Sequence, residues 1–341
     1  MPGLLLDTLN GQQAERRPIW LMRQAGRYLP EYRALRESKG GFLELVYDSA
    51  AAAEVTLQPV RRFGFDGAIL FSDILIVPHA LGQDVSFLAG EGPKLSPPLT
   101  PGMLERFEPD LSRFEPVYHT VRRTRAQLPA DVTMLGFAGS PWTVATYMVQ
   151  GEGSRDQAET RLMSLRDREG FSAIIERIVA VTIDYLAGQV AAGAEAVQLF
   201  DSWAGSLSPA QFERWVIGPN AAIVAGLKAR HPGVPVIGFP KGAGDKLGAF
   251  ARETGVDVIA LDETVDPFWA AAELPASMPV QGNLDPMLLL AGREQIGDEA
   301  RRILGAFGSR PHVFNLGHGI NKETPIANVE HLLEAVRSWR G

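Results

Sequence analysis

The sequence predicts an α/β fold, a single (β/α)8 barrel of the TIM type spanning residues 1–341, with its active site at the C-terminal ends of the strands. Three observations carry that expectation. Eight short apolar runs recur, at 19–22, 67–71, 133–137, 196–200, 234–239, 256–261, 279–281 and 312–316. Most are rich in Val, Ile, Leu and Phe without strict alternation, the pattern of strands buried on both faces of a parallel sheet. Segments of helical periodicity separate them, several closing on a glycine just before the next run, as helix stops do. The length of 341 residues suits one barrel with insertions. A doubly wound open sheet is the competing architecture. Its dinucleotide fingerprint is missing, as is a P-loop, and Gly242-Ala243-Gly244 follows a strand without the rest of either pattern.

Taken in order, Met1 to Arg17 holds a three-leucine run followed by polar residues and lacks the apolar core of a signal peptide. The run at 19–22 turns abruptly into Arg23-Gln24-Ala25-Gly26-Arg27, with Arg33 and Arg36 beyond. Residues 49–62 place Ala50, Ala53, Leu57 and Val60 on one helical face, with a kink or early end expected at Pro59. The stretch 90–102, rich in Pro and Gly and carrying Glu91 and Lys94, reads as an excursion above the barrel. Residues 156–192 are long enough for two helices, with Ile174, Ile175, Ile178, Val181 and Tyr185 on helical spacing before Gly193. Further helices are expected at 209–229, 242–254, 286–305 and 325–339.

Composition narrows the function. Hydrophobic content of 45% and charged content of 21% are those of a soluble globular protein. A net charge of −7 argues against a nucleic-acid surface, which needs a broad basic face. An acidic chain with a local arginine cluster suggests instead a small anionic ligand. Cysteine is absent, which excludes disulfides, thiolate metal sites and a cysteine nucleophile. No stretch approaches the ~20 apolar residues of a membrane span, so no membrane partner and a cytoplasmic location are expected. His79, His119, His231, His312 and His331 form no paired spacing, so no metal is expected.

The candidate site is read from the residues just past each strand, because that end of a (β/α)8 barrel carries the chemistry. Arg23 and Arg27 come first. Arginine presents a planar fork of donors that holds a carboxylate bidentately, so the pair reads as a pocket for a substrate with several carboxylates; a surface loop paired with the chain's own acids is the plainer alternative. Ser72 and Asp73 come after the second strand, Gly139 and Ser140 after the third, Asp201 and Ser202 after the fourth. Pro240 and Lys241, Asp262 and Glu263, Asn283 and Asp285, and Gly317, His318 and Gly319 close the set. Asp73 stands between two apolar runs. Burial raises the pKa of such a carboxylate and nearby arginine lowers it. It reads either as an acceptor for ligand N–H groups and a stabiliser of positive charge, or as a cap on the next helix. Tyr147 either points its hydroxyl into the mouth or packs its ring. Ser202 has no nucleophile elbow around it and reads as a donor to a carboxylate. His318, between two glycines, sits where backbone approaches a ligand closely.

At these residues the chain resembles the uroporphyrinogen decarboxylase family nearly from end to end. Met22-Arg-Gln-Ala-Gly-Arg-Tyr-Leu-Pro-Glu-Tyr-Arg33 is similar to the amino-terminal signature of that family, and Gly136-Phe-Ala-Gly-Ser-Pro-Trp-Thr-Val-Ala-Thr-Tyr-Met148 to its second signature. Phe71-Ser-Asp-Ile-Leu, Phe200-Asp-Ser-Trp-Ala-Gly and Asn315-Leu-Gly-His-Gly319 match further segments. The resemblance implies a cofactor-free barrel forming a homodimer with facing clefts. It implies stepwise conversion of the four acetates of uroporphyrinogen III to methyls, giving coproporphyrinogen III in heme biosynthesis. By resemblance, Arg23 to Arg27 (Arg23, Gln24, Ala25, Gly26, Arg27) with Asp73, Tyr147, Ser202 and His318 contact substrate, Arg36 is a further candidate, and Asp73 and Arg23 are catalytic. Elementary chemistry agrees. Losing CO2 needs an electron sink, and a pyrrole protonated on carbon is one, with Asp73 steadying the cation in a low-dielectric cleft. A guanidinium is a poor acid, its pKa lying above ~12, so the proton donor stays open. Two rivals are a corrinoid- or thiol-directed methyltransferase on a similar barrel, whose zinc ligands include the cysteine missing here, and a non-catalytic tetrapyrrole carrier, which has no need of Asp73.

Overall fold

The computed structural model describes residues 3–88, 92–106, 108–308 and 310–340. Its strands are β1 (Gly67–Ile69), β2 (Asp84–Leu88), β3 (Gly92–Ser96), β4 (Thr133–Gly139), β5 (Ala196–Asp201), β6 (Val236–Pro240), β7 (Val258–Ala260), β8 (Val280–Gln281) and β9 (His312–Val313). Seven form one parallel sheet in the order β1-β4-β5-β6-β7-β8-β9, each hydrogen-bonded to the next in that order. Helices return the chain between them, as parallel pairing requires. Every residue of β1, β4, β6 and β7 is buried, which explains the unalternating apolar runs.

The sheet is curled. Gln281 Nε2 donates to Gln198 Oε1 at 3.0 Å, although β5 and β8 are third neighbours that a flat sheet would hold about 14 Å apart. Trp20 Nε1 donates in turn to Gln281 Oε1 at 3.0 Å, so a fully buried polar chain crosses the interior. The expected first strand is reduced to a single parallel bridge between Ile19 and Phe314. Residues 18–22 nonetheless lie between the sheet's two edges. Phe314 N–H donates to Pro18 O at 2.9 Å and Asp66 N–H to Ile19 O at 3.0 Å. Asp66 clamps this entry, accepting Ile19 N–H at 2.8 Å and both terminal nitrogens of Arg16 at 3.0 and 2.6 Å.

Most expected helices form. Ser49–Phe63 is one helix that runs past Pro59 to Gly64, whose φ of 62° suits the left-handed stop; the early end expected at Pro59 does not occur. Residues 156–192 resolve into Ala158–Arg166 and Arg168–Ala191. The helix Glu115–Arg125 is an addition to the expected set, although Pro116 marks its first turn. The excursion at 90–102 is in part the antiparallel hairpin of β2 and β3, a separate two-stranded sheet; residues 90 and 91 lie outside the described residues. No helix among the described residues is long and apolar enough to cross a membrane.

Candidate active site

The turn after Met22 is fixed from three sides. Gln24 Oε1 accepts Leu21 N–H at 3.0 Å and its Nε2 donates to Gly67 O at 2.9 Å, tying the turn to β1. Asn315 Oδ1 accepts Met22 N–H at 2.9 Å, and Ile320 N–H donates to Met22 O at 2.9 Å, tying it to the segment after β9. Arg23 is thereby held at φ 61°, a left-handed conformation uncommon for a side chain of this size and usually kept for a functional reason. The Gln24 side chain is fully buried with both ends of its amide spent on backbone, so it builds the turn. Ala25 and Gly26 are half-buried on the same turn.

Arg23 stands with Asp73, Tyr147 and His318, whose ionisations all feel its charge. Asp73, half-buried after β1, spends Oδ1 on Leu75 N–H at 2.9 Å; Oδ2 has no hydrogen-bond partner among the described residues. The capping alternative does not hold, since the next helix, Ile76–Ala80, begins at Leu75 without a side-chain cap; one Asp73 oxygen shapes the turn ahead of it and one is left over. Burial pushes the Asp73 carboxyl up to about 6, against the pull of the Leu75 N–H and of Arg23. Burial and then Asp73 push the Tyr147 hydroxyl up to about 12, so it remains a donor, and its ring packs against Trp203 at 4.4 Å with the two planes tilted by 37°. Of the two alternatives for Tyr147, the packing of its ring is what the structure shows. Burial, then Lys241 and Arg23, bring the His318 imidazole down to about 4, which makes it neutral at pH 7. Its ring lies parallel to Phe239 at 6.5 Å.

The glycines flanking His318 make room for the protein's own groups. A Cβ on Gly317 would overlap Glu263 N, and one on Gly319 would overlap Arg23 Cδ. Ser202 is half-buried beside Trp203. Arg27 is exposed on the strand-end turn, its carbonyl accepting from Arg33 at 2.7 Å. Arg36 donates to Tyr32 Oη at 3.2 Å and lies 5.5 Å over the Phe42 ring. The structure thus brings Arg23, Asp73, Tyr147 and His318 within reach of one another's charge.

Sequence reasoning misses Trp203 and Phe239 as partners of Tyr147 and His318, since ring contacts between segments far apart in the chain leave no local trace. Asp201 is fully buried, accepts from Thr143 Oγ1 at 2.5 Å and is pushed up to about 7 by burial. Thr143 also accepts Trp203 N–H at 3.2 Å, so this buried carboxyl supports the ring under Tyr147. Among the described residues no group of three or more His, Asp or Glu side chains is arranged to hold a metal.

Comparison with known proteins places this geometry. A methyltransferase from Methanosarcina mazei superposes with a TM-score of 0.79 at 17% identity, covering 97% of this chain and 96% of that one, and so shares the fold. A B12-independent methionine synthase from Shewanella is a more distant likeness, with a TM-score of 0.54 at 11% identity over 85% of each chain. Sequence relatives are far nearer. Proteins named uroporphyrinogen decarboxylase from Novosphingobium aromaticivorans and Rhizorhabdus wittichii are 66% and 68% identical over 339 and 333 residues, covering 99% and 98% of this chain and 99% and 97% of theirs. The family model described as uroporphyrinogen decarboxylase (URO-D) matches residues 2–339, and the chain belongs to that family.

Proposed function

We infer that this chain is a carboxy-lyase that decarboxylates uroporphyrinogen III in porphyrin biosynthesis, converting its four acetate side chains to methyls and yielding coproporphyrinogen III. The observation that carries the reading is an Asp73 carboxyl at the strand ends that keeps one oxygen unspent and feels the charge of Arg23, in a chain of this family. A proton added to a pyrrole carbon makes the ring cationic. The electron pair of the acetate C–C bond flows into that ring as CO2 leaves. The exocyclic methylene takes a proton to become methyl, and the ring carbon returns its own, so each cycle consumes one proton. Asp73 Oδ2 accepts pyrrole N–H groups and offsets the ring's charge, most effectively as a preorganised group in a partly desolvated cleft. Arg23 positions the reacting carboxylate. Tyr147 and the neutral His318 donate hydrogen bonds, while Arg27, Ser202 and, further out, Arg36 hold the remaining acid side chains.

The same reading extends to architecture. We propose that residues 18–22 are the eighth stave of a closed (β/α)8 barrel in one domain, supported by their bonds to both sheet edges. We propose further that the chain works in the cytoplasm as a homodimer with facing clefts, on a small molecule and not on nucleic acid; the net charge of −7 favours the last point. Anaerobic incubation with uroporphyrinogen III tests the activity. Products with seven to four carboxyl groups and released CO2 are expected; unchanged octa-acid bound by the protein would make it a carrier instead.

A further inference from the structure

His318 has a cationic neighbour besides Arg23. Alternation along β6 puts Lys241, the next residue after the strand, on the same face as Phe239, and Phe239 is the ring lying parallel to His318. Lys241 is therefore on the His318 wall, and its charge is felt there. Its Nζ meets Glu263 Oε1 at 3.3 Å, long for a charge-assisted contact, and both side chains are about a quarter exposed, at 27% and 24%. The pair is seated by Gly317, which lies flush on the Glu263 backbone. Glu263 Oε2 is buried with no hydrogen-bond partner among the described residues. An ammonium has three N–H donors, and one long pairing leaves donors for a ligand.

We propose that Lys241 is a substrate-binding residue, taking a substrate carboxylate other than the reacting one on the β6–β7 wall. Glu263 is the counter-ion that holds the ammonium in place while the pocket is empty. Sheet order separates this wall from the Asp73 turn by β4 and β5, so the two groups address different parts of a wide ligand. A substrate with eight acid groups needs more cations than Arg23 and Arg27 provide, and Lys241 adds one whose stem can swing without disturbing Arg23.

The inference rests on uroporphyrinogen being the substrate, and the experiment separates the two. Lys241→Met and Lys241→Arg are assayed beside the parent chain, anaerobically, on uroporphyrinogen III. Lys241→Met should raise KM about tenfold or more, the loss of one charge-assisted hydrogen bond, with kcat within about twofold of the parent's. Lys241→Arg should recover most of that loss. In the ligand-free protein, the NMR titration of His318 should move to higher pH in Lys241→Met, because a neighbouring cation has gone. An unchanged KM, a loss confined to kcat, or an unmoved His318 titration would overturn the role of Lys241 while the parent still turns over. A parent chain that leaves uroporphyrinogen unconverted would overturn the underlying reading instead.

Discussion

Asp73 shows how far a single side chain's chemistry depends on its surroundings. Its folded-state pKa of about 6 lies above the ordinary 3.8, so the fold favours the protonated form. Stability tied to this group is accordingly present below about pH 3.8 and is lost as pH rises through 6. At pH 8 the buried charge costs of the order of 3 kcal/mol. Asp73→Asn keeps an oxygen for Leu75 N–H and removes the charge. It should therefore be more stable than the parent to denaturant at pH 8, the gain shrinking as pH falls below 6. The same variant should lose about a hundredfold or more in turnover, with little change in affinity for coproporphyrinogen. Lower stability at pH 8, or equal losses in turnover and affinity, would leave Asp73 a turn-shaping or binding residue only. The sequence alone marks this position, a carboxylate between two apolar runs just past a strand, and leaves ligand contact and helix capping both open. It does not show that Leu75 claims one oxygen.

At the scale of elements, the site is the meeting of two turns with no neighbourhood in sequence. The turn at 21–24 is bonded to β1 through Gln24 and to the segment after β9 through Asn315. The His318 turn slides beneath it because Gly319 has no side chain. The part Gln24 plays here is invisible in the sequence, since only the fold shows both ends of its amide consumed by backbone. The flanking glycines are marked in the sequence as places of close approach, without a sign of which group approaches. Gly319 has ordinary backbone angles, outside the left-handed region, so alanine can replace it without backbone strain. Its Cβ would then press on Arg23 Cδ and Cγ, so the arginine stem has to turn aside. Gly319→Ala should therefore fold and melt within a few degrees of the parent, yet lose up to about a hundredfold in kcat through displacement of the guanidinium. Unchanged kcat would separate the placement of Arg23 from the chemistry.

Over the whole molecule, four buried groups set opposing pH dependences. His312 and His318 are held down to about 3 and about 4, mainly by burial. The unfolded chain protonates them first, near 6.5, so their stability is present above 6.5 and is lost as pH falls. Asp73 and Asp201 are pushed up to about 6 and about 7, again mainly by burial. The unfolded chain ionises them first, so their stability is present below 3.8 and is lost as pH rises. Between about pH 4.5 and 6 the unfolded chain carries two protons on histidine that the fold refuses, and the fold keeps most of two on carboxyl that the unfolded chain gives up. The slopes of these four groups nearly cancel, so the slope that remains is set by other groups, His79 among them, whose imidazole burial also holds low. Asp201→Asn preserves the acceptor for Thr143 Oγ1 and removes one contribution, so its stability should fall by about 1.4 kcal/mol per pH unit, relative to the parent, on acidification from 6 to 4.5. His312→Phe should tilt the other way. Denaturant titrations of the three proteins at four pH values decide the matter: parallel profiles would mean that these groups titrate together with solvent and that the interior of the sheet is wetter than its burial implies.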